Sequence, residues 1–423
     1  MTTTTTTTMM GKCVDLPEEV MVEIMSWLPP DSLIRFKVVS KSWYAIIKFL
    51  INDSEFVAKH LSNMKNDMSS LALVYQSPCT CEDVNDQLIV FHSRCCPVSV
   101  PKIYLDHDDG GETDHNIDHV IEDLPRIPYE TDETDRLEYH CNGVIVLTRY
   151  ESESCRDFIL YNPAVTEFRI LPQSMLLDSI CIKGGGLGFD SRANDYKLVK
   201  FGHDWRSHKS KAVVYRLSTG SWVEIKFDWN ELKFDLDIDD IVINSTGVFC
   251  KGVIYWHVCI HKVVSVDELQ SFDEILRDKL LSFNVSDEIF RGLPLPDNLK
   301  SLEDPWDPKW NTLAVWNESL AMFHYPKERE AAVSIQVWVM DESSESWIKQ
   351  LVVGPPIGAC TALTFWKTDE LLMQGEDKRL VSYNLRSRKL RNLAIVGVGK
   401  NGDAFEELAF PYVKSLVSVK ERR

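Results

Sequence analysis

Apolar residues follow two different rhythms along this chain. Between residues 15 and 50 they recur at helical spacing. Val20, Ile24 and Trp27 or Leu28 fall on one stripe, Leu33 and Phe36 on a second, and Trp43, Ile46, Ile47 and Leu50 on a third. The residues between the stripes predict three short helices. Asp15 and Glu18 frame a box-like start with Pro17 in the first turn, where a missing N–H costs nothing. Pro29-Pro30 stops that helix, a second opens near Asp31, and Ser40 caps the third. About thirty residues cannot bury three apolar stripes among themselves, so the segment calls for a partner.

Beyond the helices the rhythm shortens to alternating runs of Val, Ile, Tyr, Phe and Trp, punctuated by Gly, Pro, Asn and Asp. The runs repeat. An aromatic closes a strand, a turn follows, and an apolar residue stands seven positions on: Tyr161 with Phe168, Tyr215 with Trp222, Phe283 with Phe290, Tyr383 with Leu390. Trp338 pairs with Trp347 across nine, as though two residues had been inserted. The turns, such as Asn162-Pro163-Ala164-Val165-Thr166 and Ser218-Thr219-Gly220, have hairpin composition. Anchors lie 54, 68, 55 and 45 residues apart, and further strands precede most of them, at Gly143–Leu147, Gly252–Trp256, Leu320–Phe323 and Leu371–Met373. Units of this length with about four strands each are propeller blades. Five are visible. A sixth would join Leu71–Tyr75 and Gln87–Phe91 to the terminal Tyr412–Val417, removing the free edges of an open ring. The fold class expected is therefore mainly β with a small α module: a helical N-terminal unit at 13–60, after a Thr-rich tail at 1–12, and a roughly six-bladed, kelch-like β-propeller at 61–423 closed by the C-terminal strand.

Composition narrows the function classes. Acidic residues outnumber basic ones by 64 to 46, a net charge of −18, which disfavours nucleic acid and favours a basic protein partner. The excess is clustered at Asp106, Asp108, Asp109, Glu112, Asp114 and Asp118, at Glu130, Asp132, Glu133, Asp135 and Glu138, and at Glu231, Asp235, Asp237, Asp239 and Asp240. No apolar run approaches the roughly 18 residues of a membrane span, and the N-terminus lacks the basic and apolar regions of a secretory signal, so a cytoplasmic protein with reduced thiols is expected. The eleven cysteines have no regular spacing. Cys79-Thr80-Cys81 and Cys95-Cys96 match no tetrahedral zinc pattern, so no metal or other cofactor is expected. Gly184-Gly185-Gly186 leads into a strand rather than a helix and is not a phosphate loop. His257 and His261 are spaced for a helical metal site but stand on a strand, and no nucleophile signature is present, so no catalytic residues are assigned.

The run Leu16-Pro17, Ile24, Leu28-Pro29, Leu33, Phe36, Val39-Ser40-Lys41 and Trp43 closely resembles the F-box. That resemblance implies docking to a Skp-type adaptor, and through it to the cullin scaffold and RING subunit of an SCF ubiquitin ligase. The implied contacts are Leu16, Pro17, Val20, Ile24, Leu28, Pro29, Leu33, Phe36, Val39, Ser40 and Trp43. Tyr161–Pro172, Gly188-Phe189-Asp190 with Asp195–Val199, and Leu363–Lys367 resemble the F-box-associated domain of plant F-box proteins. With Phe56–Leu61 and the closing Tyr412–Ser418 they are similar to the S-locus F-box subgroup. The resemblance implies a substrate-recognition subunit that presents a target, a non-self S-RNase in pollen self-incompatibility, for ubiquitination by other subunits. The acidic loops carrying Asp106, Asp108, Asp109, Glu112, Asp114, Glu130, Asp132, Glu133 and Asp135 are the expected target contacts. The alternatives are an unrelated plant target in defence or development, and a ligase-independent scaffold.

Overall fold

The computed structural model describes residues 17–66, 71–76, 98–103, 119–123, 134–151, 154–232, 241–243, 247–266, 269–295, 299, 311–325, 334–354, 359–375, 379–396 and 409–420. Its first part is a module of four helices, α1 (Glu18–Ser26), α2 (Pro30–Phe36), α3 (Lys41–Leu50) and α4 (Ser54–Asn66). Ser40 caps α3 as its sequence predicts, its Oγ accepting the Trp43 N–H at 3.2 Å. Pro30 rather than Asp31 opens α2, because its fixed φ and absent N–H suit the first helical position. Pro17 is the N-cap of α1 and makes no side-chain cap bond; Asp15 and Leu16 lie outside the described residues.

The fourth helix corrects the three-helix expectation, and it runs through residue 60, where the sequence suggested a domain boundary. Two buried polar residues, His60 and Asn63, interrupt its apolar period and hide it from a periodicity reading. Both serve the open end of α1. His60 Nε2 donates to the Leu28 carbonyl at 2.8 Å, and Asn63 Nδ2 donates to Ser26 O at 3.1 Å and Ser26 Oγ at 2.9 Å. Carbonyls that a helix leaves unpaired at its C-terminus are thus satisfied inside the module.

The remaining described residues are mainly sheet. A composite sheet contains β1 (Leu71–Gln76), β2 (Val98–Ile103) and β3 (His119–Asp123). Next come β4 (Thr134–Cys141), β5 (Val144–Glu151), β6 (Ser154–Asn162) and β7 (Glu167–Ile170). After the short α5 (Met175–Asp178) follow β8 (Ile180–Asp190), β9 (Asp195–Asp204), β10 (Ser210–Arg216) and β11 (Ser221–Ile225). The fourth sheet holds β12 (Ile241–Ile243), β13 (Val248–Cys250), β14 (Val253–Val266), β15 (Leu269–Asn284) and β16 (Ile289–Pro294). The fifth holds β17 (Thr312–Trp316), β18 (Ser319–His324), β19 (Ile335–Asp341) and β20 (Ser346–Val353). The sixth holds β21 (Ala359–Lys367), β22 (Glu370–Gly375), β23 (Arg379–Asn384) and β24 (Leu390–Val396). Among the described residues all pairings are antiparallel, and five sheets take their strands consecutively from the sequence. The first strand of each sheet abuts the next sheet in turn: β4 on β8, β8 on β13 and β14, these on β17, and β17 on β21. That is the architecture of a propeller.

β25 (Ala409–Val413) leaves the sequential order and pairs with β1, Leu71 opposite Val413 and Tyr75 opposite Ala409. It also packs against β21, while β1 packs against β4. The expected joining of the two chain ends is therefore present, with a shorter strand: residues 414–420 are irregular backbone. Gln87–Phe91 lies outside the described residues.

The repeat read from sequence is a recurring hairpin. Tyr161–Phe168, Tyr215–Trp222, Phe283–Phe290 and Tyr383–Leu390 are all direct cross-strand partners. The Trp338–Trp347 pair is not: Trp347 faces Met340 and Trp338 faces Lys349. Met340 and Trp347 are also seven apart, so nothing is inserted and methionine simply stands where the other sheets place an aromatic. Phe189–Tyr196 supplies a sixth copy. In each, the fifth residue after the anchor has a positive φ: Thr166, Asn194, Gly220, Glu288, Glu345 and Arg388.

These hairpins share one rim, because they touch one another across sheets. Ser286 Oγ donates to Asp190 Oδ1 at 2.6 Å, Arg216 holds Glu288 in a two-point ion pair at 2.8 and 2.6 Å, and Trp316 Nε1 donates to Thr368 O at 2.8 Å. The helical module sits at this rim. Its core of Met25, Leu33, Ile47, Leu50 and Phe56 is completed by Leu416, with Val165 of the β6–β7 hairpin packed alongside. The triple glycine is explained on the inner strand β8. Fully buried Trp256 donates its indole N–H to Gly185 O at 2.8 Å, and a Cβ on Gly185 would lie 2.7 Å from Lys200 Cδ.

Candidate protein-docking site

Two faces of the helical module differ sharply. Inward, α1 contributes Met25 and α2 contributes Leu33, each 1% exposed. Outward, α1 presents Val20, Ile24 (48% exposed) and Trp27 (51%). The turn before α3 presents Val38 and Val39 (62%), and α3 presents Tyr44 and Phe49 (71%). Scattered apolar residues on a surface need no explanation, but seven large ones on so small a module mark an interaction surface. Two shallow depressions flank Tyr44, one lined by Lys37, Val38, Ser40 and Lys41, the other by Ala45, Lys48, Phe49, Asn52 and Asp53. Concavities beside an exposed aromatic suit insertion of a partner's side chains.

The outward stripe is held rigidly from behind. Glu23 is ion-paired with Lys59 of α4 and accepts the Trp27 indole N–H at 3.2 Å, which fixes the ring on the surface. The Lys59 bond, then that of Trp27, holds the Glu23 carboxyl below its ordinary value. Burial pushes the His60 imidazole down, although the Leu28 carbonyl partly offsets it, so the α1–α4 bond is made by a neutral ring. Phe36 packs edge-on against Trp43, ring centroids 5.5 Å apart, at the border between the two faces.

The residues assigned from sequence divide accordingly. Pro17, Val20, Ile24, Val39 and Ser40 are exposed, and Leu28, Pro29, Phe36 and Trp43 are partly buried. Leu16 lies outside the described residues. Leu33 must be withdrawn from the contact set: it fills the module core, where no partner can touch it. Its stripe with Phe36 signalled burial, and periodicity alone does not say which stripe is core. Trp27, Val38, Tyr44 and Phe49 were not assigned. Tyr44 and Phe49 lie off the Trp43–Leu50 stripe, and aromatics on the polar side of a short helix are the signal that would have found them.

Of the acidic residues expected to meet a target, Asp106, Asp108, Asp109, Glu112, Asp114, Glu130, Asp132 and Glu133 lie outside the described residues. Asp135 is not in a loop but in β4, opposite Arg149. Glu138, grouped with it by sequence, faces inward and pairs at 2.5 Å with Lys200, a 2%-exposed lysine seated over the rings of Tyr139 and Phe158. A strand places alternate residues on opposite faces, so a sequence cluster of carboxylates does not remain a spatial one. Among the described residues no group of His, Cys, Asp and Glu could hold a metal ion, and no helix is long and apolar enough to cross a membrane.

Comparison with known proteins agrees with the geometry. Residues 14–54 match the F-box domain family, and residues 87–419 match the F-box associated beta propeller domain family, which spans most of the chain. A putative F-box protein of Arabidopsis thaliana is 26% identical over 289 residues, covering 68% of this chain and 67% of the relative. Another is 27% identical, covering 78% of this chain and 77% of the relative. An Arabidopsis F-box/kelch-repeat protein is 23% identical over 435 residues and covers 96% of this chain and 95% of its own length. A helical docking module seated on a propeller, with both family matches in register, establishes the chain as a member of the plant F-box proteins with an F-box-associated β-propeller domain, a non-catalytic family.

Proposed function

We propose that this chain is the substrate-recognition subunit of an SCF ubiquitin ligase. A Skp-type adaptor docks on the outward face of the helical module, and the propeller holds the protein to be ubiquitinated. The observation that carries the reading is the exposed apolar set Val20, Ile24, Trp27, Val38, Val39, Tyr44 and Phe49 on a module whose own core is already filled. Leu16, Pro17, Leu28, Pro29, Phe36, Ser40 and Trp43 would line its border. The chain needs no nucleophile, because the acceleration is one of proximity between target and the transferring subunit.

Strand topology supports a target surface away from the adaptor. The anchor hairpins lie at the rim that carries the helical module, so the turns between second and third strands and the connections from one sheet to the next leave from the other rim. The sequences 124–133 and 233–240 connect β3 to β4 and β11 to β12 from strand ends at that other rim, whereas 104–118 connects β2 to β3 from ends at the module rim, where Ala72 pairs with both Lys102 and Tyr412. The two far-rim sequences hold Glu130, Asp132 and Glu133 and Asp235, Asp237, Asp239 and Asp240, while Asp106, Asp108, Asp109, Glu112 and Asp114 belong to the connection at the module rim. A basic protein is the target that such a distribution would attract. The finer reading, a pollen S-RNase bound in the cytoplasm by an S-locus member, draws on the segments quoted in the sequence and on this charge. The composite sheet built from β25 and β1 would be the sixth blade and close the ring.

Co-expression with a Skp-type adaptor tests the first half: a stoichiometric complex that survives size exclusion supports the role, and separate elution refutes it. Association kinetics against a panel of S-RNases at low and physiological salt test the second. Fast, salt-sensitive association that slows when Glu130, Asp132 and Glu133 are neutralised supports the acidic rim. If no S-RNase binds while the adaptor does, the S-locus reading fails and the receptor role stands.

A further inference from the structure

We propose that residues Lys414–Lys420 are a positioning strap that locks the helical module to the propeller, and that ubiquitin transfer depends on this lock although neither docking step does. The inference rests on the receptor role above. The segment follows β25 as irregular backbone, yet side chains from both units hold it. Leu416 enters the helical core with Leu33, Ile47 and Phe56. The next residue, Val417, and then Val419 enter a different core, between the β4–β7 and β8–β11 sheets, where they meet Leu160 and Leu198. One short segment thus fills a place in two hydrophobic cores at once, and Val57 of α4 packs against both.

Polar contacts fix the segment along its length. Fully buried Asn162 donates to Ser415 O at 3.1 Å and Val417 O at 2.7 Å, and the Tyr412 hydroxyl donates to Asn162 Oδ1 at 3.2 Å. Lys414 pairs with Asp31 of α2. Lys420 pairs with Glu167 at 3.3 Å, and Ser418 Oγ donates to the same carboxylate at 2.7 Å. A hinge between the units would have to pull Leu416 from one core or Val417 and Val419 from the other, and would strand a buried amide. Transfer by proximity requires a constant distance between the adaptor face and the target rim, which such a strap would supply.

The test uses the full chain carrying a dye pair through noncanonical amino acids at Arg35 and Ser207, one on the module and one on the far rim. The wild type should give one narrow distance distribution by single-molecule energy transfer. Leu416→Ser should widen it at least twofold, as should Lys414→Glu. Adding Asp31→Lys to Lys414→Glu restores the ion pair with reversed polarity and should narrow it again. In a ligase reconstituted with adaptor, cullin and RING subunits, the wild-type chain should be self-modified at a restricted set of lysines. The strap variants should spread modification over more sites with adaptor affinity unchanged within twofold. An unchanged distribution in variants whose propeller melts normally, or a broad one in the wild type, overturns the strap. Absence of adaptor binding by the wild type overturns the receptor role instead and leaves the distance result standing.

Discussion

Six hairpins place a left-handed residue at the same step, and only one of the six, Gly220, is a glycine. Thr166 is the least suited of the others, because a β-branched side chain crowds the backbone at its φ of 54°. Thr166→Gly should therefore stabilise the protein by roughly 1 kcal/mol, the order of the left-handed penalty, read as a higher urea midpoint with an unchanged slope. Nearby, Asp190 shows how a buried charge is retained. Burial pushes its carboxyl up, but bonds from Ser286, Lys197 and the Ala193 N–H outweigh this and hold it at about 2. A depressed carboxylate contributes stability that is complete above its unfolded value and is lost as pH falls through its folded one. Stability should thus drop between about pH 4 and pH 2, by an amount on the order of 2 kcal/mol from this group. Asp190→Asn should remove that part of the pH dependence, and acid unfolding curves of the two proteins would show it.

Helix α1 carries two stripes, and its more regular one faces solvent. Val20, Ile24 and Trp27 keep helical spacing yet are exposed, while the inward positions Met25 and Ser26 make a poorer pattern. Sequence therefore revealed an amphipathic helix correctly and left its orientation open, because periodicity counts stripes without saying what covers them. Leu33 shows the consequence. Leu33→Ala should cost about 3 kcal/mol through loss of packing and an incompletely filled cavity, measured as a lower melting point of the helical module. Ile24→Glu should leave that melting point nearly unchanged. The strands were more legible than the helices: the seven-residue pairing of Tyr161, Tyr215, Phe283 and Tyr383 with their partners is local, and turn chemistry fixes it. Trp338 misled because tryptophan draws the eye, whereas the hairpin register selects Met340. The fate of Glu138 was not legible, since its partner Lys200 lies more than sixty residues along the chain. Nor was α4, whose His60 and Asn63 are polar in sequence and buried in structure.

The molecule as a whole separates its two tasks by rim. Anchor hairpins, helical module and strap lie together on one side, and the acidic connections 124–133 and 233–240 leave from the other. The described part of that second side includes Trp205, half exposed and stacked with Arg206 at 4.7 Å, a pair of residue types common in binding hot spots. The account stands or falls on the outward face of the helices being the adaptor site and nothing else being needed for it. Calorimetric titration of a purified Skp-type adaptor into three proteins tests this directly: the wild type, an Ile24→Glu/Val39→Glu variant, and a Trp205→Ala/Arg206→Ala variant. Two anchors of about 2 kcal/mol each correspond to a loss of several hundredfold or more in affinity. The wild type and the far-rim variant should bind equally, and the outward-face variant should lose at least a hundredfold. Undiminished binding by the Ile24→Glu/Val39→Glu protein, with its helices intact by circular dichroism, would contradict the account.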